Sequence, residues 1–296
     1  VSEGQERGDE IMSDTDIPRN LFGKTGQEVT CVGLGGEGVL RTTGRTGEAQ
    51  SVIQSAISQG ITYFDCARVY SDSELYYGSV WSEAPETRAG IFQASKSASR
   101  DKKGALKDLE ETLKRLETDY LDLWQIHDVR TEADMAQIAG PGGALEAFQR
   151  AKEEGKVRFI GVTGHHDPGV LTRAVNDWPV DAVMMPVNPV ETILGGFLTH
   201  TLPAAKMKGL GIIGMKILGG GHYVAPRVGA TPDRLIRHAL DQGISVAIVG
   251  SSSPTEVETL VSAWKSGTPL TDADREELLA AFRPNARRLA FYRGVI

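Results

Sequence analysis

Positive charge, cysteine and long apolar runs are all scarce in this chain, and each scarcity removes a class of function. Acidic residues outnumber basic ones 39 to 32, for a formal net charge of −7, which argues against a surface for nucleic acid or for an anionic membrane. No apolar run reaches the roughly 18 residues that a membrane-spanning helix needs. Residues 1–20 are polar and acidic, without the apolar centre of a signal peptide, and are expected to form a flexible leader. The two cysteines, Cys31 and Cys66, sit in apolar, strand-like settings. Buried free thiols and a cytoplasmic location are the expectation. An early βαβ unit with a GxGxxG turn is also missing, and with it the fingerprint of a doubly wound dinucleotide fold.

What is present is an alternation. Of 296 residues 40% are hydrophobic and 24% charged, enough for a large core under a soluble surface. Eight short apolar runs read as strands: "VTCVGLGG", "ITYFDCA", "GIFQASKS", "YLDLWQIH", "RFIGVTG", "DAVMMPVN", "GIIGMKILGG" and "SVAIVGSS". Runs apolar throughout suit parallel strands covered on both faces. Between them lie helical patterns at Glu48–Ser58, Glu74–Ser82, Gly104–Leu116, Gly143–Glu154, Gly169–Asp177, Leu198–Lys208, Pro232–Gln242 and Pro254–Ala263. Gly60, Gly155, Gly209 and Gly243 stand just past helix ends, and "TPD" and "SPTE" offer N-caps with proline at the first helical position. This order predicts an α/β fold, a (β/α)8 TIM barrel, with an N-terminal hairpin at "LFGKTGQEV" and an extra C-terminal helix at "TDADREELLAAF". No composition shift divides the chain, so residues 21–296 are expected to form one catalytic domain.

In such barrels chemistry gathers where the strands end. The second strand ends on Asp65, with Tyr70 in the loop that follows; the third ends at Lys96 and the fourth at His127. One of these at a rim is ordinary, but an acid, a phenol, an amine and an imidazole from three consecutive strands point to a site. The stretch "GITYFDCARVY", with "QASKS" and "LDLWQIH" in this order, resembles the aldo-keto reductases, and the likeness runs from Leu21 to Arg283. By that resemblance Asp65, Tyr70, Lys96 and His127 correspond to the family's catalytic tetrad. Tyr70 would donate a proton to a reduced carbonyl, but an unperturbed phenol has a pKa near 10. Lys96, braced by Asp65, is expected to pull it toward working pH, and His127 to orient the carbonyl.

The resemblance also implies a nicotinamide cofactor across the ends of the later strands. Thr163, Gly164 and Met184 would face the carboxamide, although the family usually has asparagine and glutamine in place of the last two. Met215 stands where an aromatic usually stacks on the ring. Lys216, Leu218 and Gly219 would lie along the pyrophosphate, and Gly250, Ser251, Ser252 and Glu256 along the adenosine. NADP(H) is placed ahead on family grounds. Yet no lysine or arginine occupies the 2′-phosphate positions, where Gly250 and Glu256 stand, so NAD(H) stays open. The expected partner is a small-molecule carbonyl compound such as an aldehyde, ketone or open-chain sugar, with no nucleic acid, no membrane and no metal. Two rivals share the barrel: a cofactor-binding regulatory subunit with negligible turnover, and an aldolase using Lys96 as a Schiff base. "GKT" at Gly23–Thr25 is no P-loop, because Pro18 stands at its first glycine position. "GHHD" lacks a third metal ligand, leaving His165 as a group near the mouth, and Trp81 and Trp124 read as packing residues.

Overall fold

The computed structural model describes residues 17–265 and 269–295; residues 1–16 of the expected leader lie outside the described residues. The chain begins with an antiparallel hairpin of β1 (Arg19–Leu21) and β2 (Glu28–Thr30), so its first strand starts within the span read as leader. Eight strands follow: β3 (Val32–Gly38), β4 (Tyr63–Asp65), β5 (Phe92–Ser97), β6 (Leu121–Ile126), β7 (Val157–Thr163), β8 (Ala182–Pro186), β9 (Gly211–Met215) and β10 (Val246–Ser251). They pair in sequence order, all parallel, and β10 returns to β3 to close the barrel. The (β/α)8 architecture expected from the alternation is the one observed.

The two-residue period of a strand decides which side chains enter the barrel. On β5, Phe92 and Ala94 join the inner cluster and Lys96 follows in the same parity. Gln93, Ser95 and Ser97 turn outward, where they bond Trp81, Glu74 and Asp108 on the surrounding helices. The hairpin closes the opposite end. Phe22 enters the barrel floor beside Phe92 and Tyr63, with ring centroids 4.9 and 6.1 Å away. A Cβ at position 211 would lie 2.5 Å from its ring, so Gly211 is what makes room for the plug. With the floor filled, the ends where β4, β5 and β6 finish are the open face.

The helices follow the predicted spans within a few residues. The exceptions have local causes. The stretch after β6, outside the predicted helical spans, carries a helix at Glu132–Ala139, started by a capping box between Thr131 and Asp134. Leu198–Lys208 begins as a π-turn, Phe197–Thr201, before the helix Leu202–Met207. The extra helix spans Asp272–Phe282, capped by Thr271. Trp124 stacks on Phe148 at 3.6 Å and Trp81 packs edge-on to Phe64, both as packing residues. Both thiols are free and buried, and burial pushes Cys31 up to about 12.

His238, on the helix Pro232–Leu240, is fully buried with Nε2 3.0 Å from the Thr192 hydroxyl. Burial pushes its pKa down from 6.5 to about 4. A depressed folded-state value gives stability that is present above the unfolded pKa and is lost as pH falls toward the folded one. Unfolding by urea is therefore expected to show a loss of roughly 3 kcal/mol from this histidine between pH 6.5 and pH 4. A His238→Gln variant with the same acid sensitivity would refute that assignment.

Candidate active site

The geometry of the open face begins with an ion pair. Lys96 Nζ lies 2.5 Å from Asp65 Oδ2, and both side chains are almost completely buried. The ammonium also donates to the Cys66 carbonyl at 2.8 Å, and Gln125 Nε2 donates to the other Asp65 oxygen at 3.3 Å. Burial works against the charge on Lys96, but Asp65 and Tyr70 outweigh it and hold the amine above its ordinary value. Burial pushes the Asp65 carboxyl upward, with the Lys96 ammonium opposing. A lysine held charged in this way is a poor Schiff-base nucleophile.

Tyr70 lies over this pair. Lys96 Nζ is 4.9 Å from the centre of its ring, and His127 meets the ring edge-on at 5.5 Å. All four residues that the sequence singled out thus converge. Gly36 is part of the arrangement, since a Cβ there would lie 2.7 Å from the Tyr70 ring. One expectation is revised: burial, the largest influence, pushes the phenol above its ordinary value, and Lys96 only opposes this. His127 is driven the other way, well below the usual histidine value, first by burial and then by the positive charges of Lys96, Arg100 and Arg41. Its imidazole is neutral at pH 7.

Loops hold these groups by strained backbone. Ser71, Asp128 and Lys216 have φ of 48°, 55° and 56°, left-handed values rare outside glycine, and they directly follow Tyr70, His127 and Met215. The turn after His127 is clamped: Arg100 donates to the carbonyls of His127 and Asp128, both at 2.7 Å. The Thr163 hydroxyl accepts the Asp128 N–H at 2.7 Å. His165 Nε2 sits 3.3 Å from Asp128 and its Nδ1 3.2 Å from the Tyr292 carbonyl. Tyr292 and Arg293 are in turn anchored on buried Glu191, so the end of the described chain is tied to the loops after β7 and β8.

The residues proposed for the cofactor fall on the same face but differ in what they offer. Thr163 ends β7, and its hydroxyl is already engaged with Asp128. Gly164 donates its N–H to the Met184 carbonyl at 3.2 Å, and a Cβ there would crowd the Val129 carbonyl at 3.1 Å. Met184 is buried inside the barrel and Met215 is half-buried at the end of β9. Lys216 and Leu218 lead into a turn of left-handed glycines, Gly219–Gly221. Ser251 is fully buried, with Oγ lacking any partner among the described residues. Glu256 departs from a simple anion site: its carboxylate accepts the Ser252 N–H at 2.7 Å, filling the helix N-terminus itself. Among the described residues no group of three His, Cys, Asp or Glu is placed to hold a metal.

Four contributors were not singled out from the sequence: Gln125, Arg100, Glu37 and Arg41. Gln125 and Arg100 carried a usable signal, being polar residues at inward or strand-end positions next to His127. Glu37 lies near the end of β3 and Arg41 in the short helical turn that follows, and nothing in the chain marks that segment as facing Tyr70.

Comparison with known proteins agrees with this geometry. Residues 32–234 match the model of the aldo/keto reductase family. L-galactose dehydrogenase of Arabidopsis thaliana is 28% identical, over 84% of this chain and 88% of its own length. 6-Dehydroglucose reductase of Novosphingobium aromaticivorans is 28% identical, over 81% of this chain and 84% of its own length. Among solved structures, an aldo-keto reductase of Bacillus halodurans in its holo form superposes with a TM-score of 0.74 over 95% of this chain and 98% of that one. At 18% identity it speaks for the fold. A closed parallel barrel, a rim where Asp65, Tyr70, Lys96 and His127 meet, and a family match over most of the barrel lead to one conclusion: the chain belongs to the aldo/keto reductase family, whose members are NAD(P)-dependent oxidoreductases acting on carbonyl and alcohol groups.

Proposed function

We propose that this protein reduces the carbonyl of small aldehydes, ketones or open-chain sugars to alcohols, reversibly, with Tyr70 as general acid. The observation that carries the reading is the contact of Tyr70 with both the Lys96–Asp65 pair and His127. A bound nicotinamide supplies or accepts the hydride; the chain's own residues handle the oxygen and its proton. Tyr70, kept protonated by burial, donates its proton to the carbonyl oxygen as negative charge develops there. Lys96, held charged by Asp65, stabilises the phenolate that remains. His127, being neutral, donates an N–H to the same oxygen without competing as an acid. Oxidation of an alcohol runs these proton transfers backward.

The face fits a dinucleotide. Ser251 keeps a buried, unpartnered hydroxyl, and the Gly219–Gly221 turn permits close backbone approach. Thr163, Gly164, Met184 and Met215 would hold the nicotinamide end; Lys216, Leu218 and Gly219 the phosphates; Gly250, Ser251, Ser252 and Glu256 the adenosine. Glu256 already takes the Ser252 N–H, so a 2′-phosphate would meet a carboxylate where a ribose hydroxyl could donate to it. We therefore read NAD(H) as used at least as well as NADP(H), reversing the order that family likeness alone suggests. Fluorescence titration is expected to give NADH an equal or tighter Kd. NADPH binding ten-fold or more tighter would overturn that order.

Turnover separates this reading from the regulatory-subunit alternative. Steady NADH or NADPH consumption on a panel of small aldehydes is expected; tight cofactor binding without turnover would restore the alternative. The names of the relatives, a galactose dehydrogenase and a dehydroglucose reductase, favour including sugars in the panel. The reading takes residues 21–296 as a single catalytic domain. Two buried, free thiols are in keeping with a cytoplasmic site of action.

A further inference from the structure

Tyr70 is flanked by a second cation that the tetrad does not include. The Arg41 guanidinium carbon lies 4.7 Å from the centre of the Tyr70 ring, as close as Lys96. Unlike Lys96 it is not consumed by a buried pair. Its ion-pair partner among the described residues is Glu37, through Nη1 at 2.6 Å, with both side chains nearly half exposed. An exposed pair of that kind is weak and is readily exchanged for a better partner. A substrate carboxylate, which can engage the guanidinium fork with two parallel bonds, is such a partner.

The surroundings favour an anion. The other carboxylates near the mouth are committed: Asp65 to Lys96, Asp128 to Arg130, and Asp134 to Arg100. The cations that most disturb His127, where the carbonyl oxygen would sit, are Lys96, Arg100 and Arg41. A chain with net charge −7 thus presents cations around its reactive phenol. Among the described residues Glu37 is the carboxylate that competes for Arg41, and it hangs over Gly250 at the edge of the site, where a Cβ at position 250 would lie 2.5 Å from its own.

On the reading of the site given above, we propose that Arg41 is a substrate anchor and that the preferred substrates are short oxo acids, carbonyl compounds bearing a carboxylate a few carbons away. Docked on Arg41, the carboxylate lies over the face of Tyr70 and places the carbonyl at the phenol and at His127. Glu37 gates this contact by competing for the guanidinium.

The test compares kcat/KM for 4-oxobutanoate and for its uncharged methyl ester, with cofactor Kd measured in parallel. The protein is expected to prefer the acid by about 10- to 100-fold, the range of a lost charge-assisted bond. Arg41→Ala is expected to bring the ratio near one, chiefly through KM for the acid. Arg41→Lys is expected to fall between, and Glu37→Gln to raise the ratio. Opposite movement in the two alanine- and glutamine-type variants is not what a merely structural pair would produce. Equal use of both compounds by the parent, or a ratio unmoved in Arg41→Ala, overturns the proposal. So does a loss of NADH affinity in Arg41→Ala with the ratio unchanged, which would assign Arg41 to the cofactor instead. Turnover of neither compound, nor of any neutral aldehyde, would mean that the reductase reading itself has failed.

Discussion

Tyr70→Phe is expected to lower kcat for carbonyl reduction by about 1,000-fold or more, the scale of a lost general acid, while NADH and NADPH bind as in the parent. The substitution removes a single oxygen. The ring keeps its place against Lys96 at 4.9 Å, Arg41 at 4.7 Å and His127 at 5.5 Å, in the space that Gly36 leaves open. Loss of turnover with unchanged melting temperature and unchanged cofactor affinity would therefore report proton donation and not packing. The raised phenol pKa sets the companion expectation. Because reduction needs the protonated form, the rate should hold a plateau through neutral pH and fall only in the alkaline range, above the ordinary tyrosine value. Full turnover by the phenylalanine variant would take Tyr70 out of the mechanism.

The second large effect concerns stability. Lys96→Met is expected to cost about 3–5 kcal/mol in chemical unfolding, because it strands the Asp65 carboxylate in a buried, low-dielectric site. Asp65→Asn should cost a similar amount by stranding the ammonium. The double variant, Asp65→Asn with Lys96→Met, removes both charges and should recover much of the loss, since a buried pair contributes little beyond a neutral replacement of similar shape. Activity should not return with stability. A double variant as unstable as the sum of the singles would show no coupling across the 2.5 Å contact, each charge being held instead by its other partner, Gln125 for Asp65 and the Cys66 carbonyl for Lys96.

The fold was legible because its signals are local and repeated. Each apolar run had room for a strand, four of the eight amphipathic stretches ended at a glycine, and strict alternation leaves few closed architectures. Where reading failed, the missing information was a competition between neighbours. Thr131 and Asp134 cap a helix outside the spans that read as helical. Glu256, read as facing a cofactor, also accepts the Ser252 N–H four residues away, a contact that the order of residues did not indicate. The convergence of Asp65, Tyr70, Lys96 and His127 was legible from strand ends. The state of the phenol was not, because the balance between burial and the pull of Lys96 depends on how much water the folded rim excludes.

Residue types and their spacing alone determined that this chain would close a barrel and bring an acid, a phenol, an amine and an imidazole to one rim. They did so because side-chain alternation in a strand is set by covalent geometry, and Phe92, Ala94 and Lys96 must then share a face. Only the tertiary structure decided which charges those groups feel. Arg41, 29 residues before Tyr70 in the chain, rests on its ring. Electrostatic energy depends on distance through space and on burial, and neither is written in the order of the residues.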